Sequence, residues 1–187
     1  ILVDANTNYT LQDIRKVMPA FDEAGVSWLE EPFPPQDRKA YGLARTLGRV
    51  PFAAGENHYT RYEFATLLDD GDVQFIQPDL SKAGGVTESL RIAAMASAYK
   101  LTINPHTSAT AINMGNTIHF LSAIDNPGYF EGDVTSLNPF RDEMMDKPAY
   151  QLDKDGCVSP YEGIGIGMKI NLDFVKAHPL IDGPCYV

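Results

Sequence analysis

The chain has 187 residues, 44% of them hydrophobic and 21% charged, enough to build a globular fold around a real core. Its 15 Lys and Arg against 25 Asp and Glu leave a net charge of −10, which disfavours nucleic acid and acidic membrane surfaces as partners. No run is long and apolar enough to cross a bilayer and no signal-peptide pattern is present, while Cys157 and Cys185 lie far from any metal-ligand spacing; a cytoplasmic enzyme with bystander cysteines is the default expectation.

The chain opens on ILVD, a short apolar run ending in Asp4. Thr10 and Asp13 then make a capping box, and Leu11, Ile14, Met18 and Phe21 place apolar side chains on one face of a first helix. A second run, VSWLE, ends at Glu30; Glu31 beside it is expected on the opposite face, since strand side chains alternate. A helix over 35–48 follows, entered through Pro34 and Pro35, which a first helical turn tolerates. PFAAGE closes a third run at Glu56, and Thr60 with Glu63 repeats the capping signal ahead of Phe64, Leu67 and Leu68. VQFIQP leads to Asp79, and a helix from Gly85 is expected to turn Val86, Leu90, Ala93 and Ala94 inward. LTINP leads to His106, a helix spans roughly 109–123, and GYF leads to Glu131. Residues 134–187 are rich in Pro, Gly and Asp and read as extended loops with short strands.

The first three acids are evenly spaced, 30 − 4 = 26 and 56 − 30 = 26 residues apart. A strand, a loop, a helix and a second loop take about 25 to 30 residues, so each acid closes one strand of a repeating βα unit. Asp79, His106 and Glu131 continue the spacing less strictly. Six ionisable residues thus stand at the carboxyl ends of six candidate strands, the edge where parallel α/β folds collect their chemistry. The expected fold class is α/β, a TIM-like barrel in preference to an open six-stranded doubly wound sheet. Side chains from many successive strands meet at one point only if the strands curve around a common axis. A full barrel takes about 250 residues, and the chain opens inside a strand. Residues 1–133 therefore read as a partial barrel, 134–187 as a carboxyl-terminal extension, and the whole as a piece of a longer protein lacking about two βα units.

VDAN at 3–6, WLEEP at 28–32, AGEN at 54–57, QPD at 77–79 followed by Gly84 and Gly85, and NPH at 104–106 resemble the enolase superfamily, more narrowly its mandelate racemase branch, in identity, order and spacing together. The resemblance covers nearly the whole chain. It implies a (β/α)7β barrel of which strands three to eight are present here, with the amino-terminal capping domain and first two strands absent, and a tail packed near that cap. It also implies a homo-oligomer. Asp4, Glu30 and Glu56 match the three carboxylate ligands of a magnesium ion in this family. The residue types agree, since three hard oxygen donors without Cys or His suit Mg²⁺, or Mn²⁺, better than zinc or copper.

Such a metal serves proton abstraction next to a carboxylate, where removal of the α-hydrogen piles a second negative charge onto an anionic group. His106 is the candidate base, with Asp79 holding one ring nitrogen and raising the basicity of the other; the two match a dyad of the resembled branch. Glu131 matches an acid that hydrogen-bonds the developing enolate, a task that needs a raised pKa. Asn6 faces the same side as Asp4 and is a candidate substrate contact, as is His58. His119 and His178 read as structural, and Lys82 as part of a loop. The expected reaction is dehydration of an acid sugar, a small-molecule carboxylate, to a 2-keto-3-deoxy acid; racemisation through the same enediolate is the alternative. Metal-dependent aldol cleavage, or acid binding without turnover, are readings of another kind. GIGIG at 163–167 lacks the spacing of a dinucleotide fingerprint.

Overall fold

The computed structural model describes residues 1–183; Cys185 lies outside the described residues. Five short parallel strands, β1 (Leu2–Asp4), β2 (Trp28–Glu30), β3 (Phe52–Ala54), β4 (Phe75–Ile76) and β5 (Thr102–Ile103), form one sheet in sequential order. Each is followed by a helix: α1 (Leu11–Ala24), α2 (Arg38–Ala44), α3 (Thr60–Asp70), α4 (Gly85–Ala98) and α5 (Ala111–Leu121). Sequential order with every connection crossing through a helix is the barrel pattern, since a doubly wound sheet reverses its strand order.

The helices pack on the sheet through the stripes that the sequence marks. Thr10 caps α1 by accepting the Asp13 N–H at 3.2 Å, while Asp13 accepts the Thr10 N–H at 3.0 Å, a reciprocal box. Ile14 and Met18 are fully buried against the sheet, with Leu11 and Phe21 packed at the margin; burial of this kind contributes about 1.5–3 kcal/mol per large side chain. Phe64, Leu67 and Leu68 do the same for α3. Met145, Ala149 and Met168 of the extension form a second small cluster on Ala111 and Met114 of α5.

Several expectations change. The helix expected over 35–48 is shorter, because Pro34 accepts the Asp37 N–H in a turn and Asp37 then caps Ala40. Thr60 does not cap α3: it sits at φ 59 inside the first turn, and only the return half of the box exists, from the Tyr59 N–H to Glu63 at 2.6 Å. In α4 the buried stripe is Ser89, Ile92, Ala93 and Ala96, so Val86, Leu90 and Ala94 face solvent and only Ala93 turns inward as expected. GYF is not a strand. The chain meets β5 at a single bridge, Ile103 with Pro127, where the Gly128 N–H still reaches the Ile103 carbonyl at 2.8 Å; one residue on, the Tyr129 N–H goes to the Asn104 side chain at 2.8 Å and the ladder ends. Beyond 134, the expected short strands reduce to one bridge between Met145 and Ile170, and two short helices appear, α6 (Pro139–Asp142) and α7 (Leu172–Ala177). No helix among the described residues is long and apolar enough to cross a membrane.

Candidate active site

The strand register sets the first two acids side by side: Asp4 of β1 is the direct partner of Glu30 in β2. Asp4 is held by its neighbour Asn6, whose backbone N–H reaches one carboxylate oxygen at 2.7 Å and whose side-chain amide reaches the other at 3.0 Å. Asn6 sits at φ 47, a conformation Asn tolerates, so that the loop folds back on the strand end. Glu30 is buried, and its one geometrically formed hydrogen bond is long, 3.3 Å from the Trp28 indole N–H. Burial pushes its pKa up to about 7, the Gln77 and Trp28 side chains offset this only in part, and the charges of Asp4 and Glu131 add to it.

The third acid depends on a glycine. A Cβ at Gly55 would lie 2.6 Å from the Gln77 backbone, so only glycine lets β3 end this close to the next strand and deliver Glu56. Glu56 points at His106, with Oε2 at 2.7 Å from Nε2, and Lys82 stands 3.8 Å from Oε1. On the other side of the ring, Nδ1 of His106 meets Asp79 at 2.7 Å. Asp79 is buried at 1% exposure and also accepts from the Ser81 N–H at 2.7 Å and the Asn113 amide at 3.1 Å. Burial alone would lower the His106 pKa, but the hydrogen bonds that the ring donates to Asp79 and Glu56 overrule it and raise it to about 10. Burial likewise works to raise Asp79 and Glu56, and the imidazole holds both below their ordinary values.

Glu131 accepts the Thr107 N–H at 2.8 Å, which ties the last loop to the residue after His106. Its residue surface still meets solvent, yet partial desolvation together with the charges of Glu56 and Asp4 raises its pKa. Asp4, Glu30 and Glu131 line one cavity of about 220 Å³, together with Gln77 and Asn104.

Asp4, Glu30, Glu56, Asp79, His106 and Glu131 are therefore gathered at one end of the sheet, each within electrostatic reach of at least one other. His58 is elsewhere. Its buried ring packs on Phe64 with centroids 5.7 Å apart and lines a groove between α2 and α3, where Glu63 is the charge that acts on it. Asn6 spends its amide on Asp4. His178 is structural, bonded to the Phe174 carbonyl at 2.8 Å, and His119 lies on α5. Glu31 departs from strand alternation: it takes φ 35, is 2% exposed, and feels the charges of Glu56 and Asp4. From the sequence alone Lys82 reads as a loop residue, and Asn57, Gln77 and Asn104 carry no assigned role. Gln77 carries a signal in retrospect, standing two residues before Asp79 as Asp4 stands before Asn6.

The set fits a hard dication in donor type and charge. Glu30 lacks a strong donor of its own, and among the described residues the only cationic side chains bonded to this group are His106, through Glu56 and Asp79, and Lys82, through Glu56 alone. Among the described residues no three acidic, His or Cys side chains already form a closed metal cluster, for Glu56 is turned to His106 and Asp4 to Asn6.

Residues 1–174 match the family described as enolase C-terminal domain-like. The chain belongs to the enolase superfamily. A solved superfamily member from Polaromonas sp. JS666 superposes with a TM-score of 0.94 at 50% identity, covering 100% of this chain and 49% of that one. The D-galactarolactone cycloisomerase of Agrobacterium fabrum is 32% identical over 92% of this chain and 47% of its own length. The D-xylonate dehydratase of Haloferax volcanii is 27% identical over 98% of this chain and 43% of its own. The chain thus spans less than half the length of these curated relatives. Its parallel arc of strands and helices belongs to the enolase-type barrel that the resemblance implies.

Proposed function

We propose that the protein, with Mg²⁺, removes the proton α to the carboxylate of an acid sugar and dehydrates it to a 2-keto-3-deoxy acid. One arrangement carries this reading: an imidazole gripped at both nitrogens by carboxylates, next to a cavity edged by Asp4, Glu30 and Glu131. Two carboxylates on one ring favour the imidazolium, which cannot accept a proton. Once Glu56 lets go of Nε2, Asp79 alone orients the ring, keeps the remaining proton on Nδ1, and leaves the Nε2 lone pair free to take the α-proton. Mg²⁺ held by Asp4, Glu30 and Glu56 would supply the positive charge that stabilises the enediolate. The electron pair of the C–H bond enters the carboxylate, then returns to expel the β-hydroxyl. The proton on His106 leaves with it as water, and the enol becomes the 2-keto acid. Glu131, its pKa raised, donates a hydrogen bond to the charged oxygen.

A relative named as a cycloisomerase favours a second reading with the same first step. There the expelled β-oxygen belongs to a ring, so the product is an isomer of the substrate and no water is lost.

The test is His106→Asn in the full-length protein, which should abolish both turnover and exchange of the α-proton in deuterated water. Retained exchange would assign the abstraction to another base. Sugar acids headed by D-xylonate, assayed beside D-galactarolactone for 2-keto products, separate the two readings.

A further inference from the structure

We infer that Asn57, braced by the buried Glu31, is the positioning residue that fixes Glu56 as a metal ligand; the inference rests on the metal-dependent reading above. The Asn57 amide carries two N–H bonds, and its nitrogen meets one carboxylate with each: Glu31 Oε2 at 2.7 Å and Glu56 Oε1 at 3.2 Å. With Oε2 of Glu56 on His106, the amide fixes the other oxygen, so Glu56 can release the imidazole by pivoting about a held end.

Glu31 is built for this purpose at a cost to the chain. A non-glycine residue at φ 35 is strained, and such strain persists where the surroundings demand it. Its Oε1 is buried without a partner, a further penalty. A strand residue obeying alternation would avoid both, and would also carry the carboxylate away from Asn57. The left-handed turn brings the acid to Asn57 instead, where it holds the amide in one orientation. Outer-shell partners of metal ligands typically govern affinity by about 10–100-fold.

Magnesium titration calorimetry on the full-length protein tests the chain of contacts. Asn57→Ala should weaken Mg²⁺ binding by roughly tenfold or more, and Glu31→Ala should do the same. Glu31→Gln keeps an oxygen that accepts from Asn57, and should restore most of the affinity that Glu31→Ala loses. Circular dichroism confirms folding of each variant. Crystals of the metal-free protein give a readout independent of the ion: Glu56 Oε1 should leave its place in Asn57→Ala. Wild-type affinity in Asn57→Ala with Glu56 unmoved overturns the inference. If the wild-type protein itself binds no Mg²⁺, the proposed function fails, and the Glu56 rotamer still decides whether Asn57 positions it.

Discussion

Two groups of carboxylates in this molecule are treated in opposite ways. Asp133, just before the extension and bonded into it, accepts the Thr135 N–H at 2.9 Å, its hydroxyl at 2.7 Å and the Asn138 amide at 2.6 Å, with Arg141 at 3.7 Å. Burial works against its charge, but these donors win and its pKa is lowered. Glu30, more deeply buried, has a single long bond and a pKa near 7. The fold supplies donors freely where an acid merely ties down a loop, and withholds them where the acid faces a cavity. An acid left short of donors either keeps its proton or takes a cation from outside the chain, which supports the cation site proposed for the strand-end group, whereas the Asp133 group acts as a rivet.

Turnover should separate the groups most widely. Glu56→Gln is expected to cut kcat at least roughly 100-fold, whereas Asp133→Asn should leave steady-state rates close to wild type. Equal losses would erase the distinction. Next in size, Gly55→Ala should destabilise by about 3 kcal/mol or more in urea melts, because the new Cβ meets backbone and φ 153 suits glycine. A neutral result would mean that delivery of Glu56 does not depend on the close approach of β3 to β4.

The two groups should also differ in sign. Glu30 keeps its proton up to about pH 7 in the folded protein and releases it near 4.5 when unfolded. The stability tied to this group is therefore intact below pH 4.5 and drains as pH rises to 7. Glu30→Gln should stabilise the metal-free protein at pH 8 by up to about 3 kcal/mol, with no gain at pH 4. Asp133 runs the other way: its lowered pKa contributes stability above pH 3.8 that is lost as the solution is acidified. Asp133→Asn should cost about 1–2 kcal/mol at neutral pH, with a gap to wild type that narrows in acid. Thermal melts of both variants across pH read the two slopes.

The site was legible in the sequence to the extent that it obeys the period of the βα unit. Acids 26 residues apart fall near the ends of successive strands: Asp4 and Glu30 are register partners, while Glu30 pairs onward with Ala53 and Glu56 lies two residues beyond the end of β3. His106 and Asp79 were legible because a strand end followed by an ionisable residue repeats in the same frame. What the period does not govern was missed. Glu31 breaks alternation through a left-handed backbone that no side-chain pattern announces. His58, two residues past Glu56, is turned off the site by its packing on Phe64. In α4 two apolar stripes compete, and the one with small residues, Ser89, Ala93 and Ala96, wins because it admits close neighbours. The tail carries little period of any kind, so its helices rest on local caps at Asn138 and Asn171.

Trp28 is the sole tryptophan of the chain; its indole touches Glu30 and its ring lies 4.8 Å from Phe75. Nature has thus wired an intrinsic fluorophore to one arm of the candidate coordination sphere. Loading should change its emission without any dye, and stopped-flow mixing could time that event in milliseconds, before any product forms.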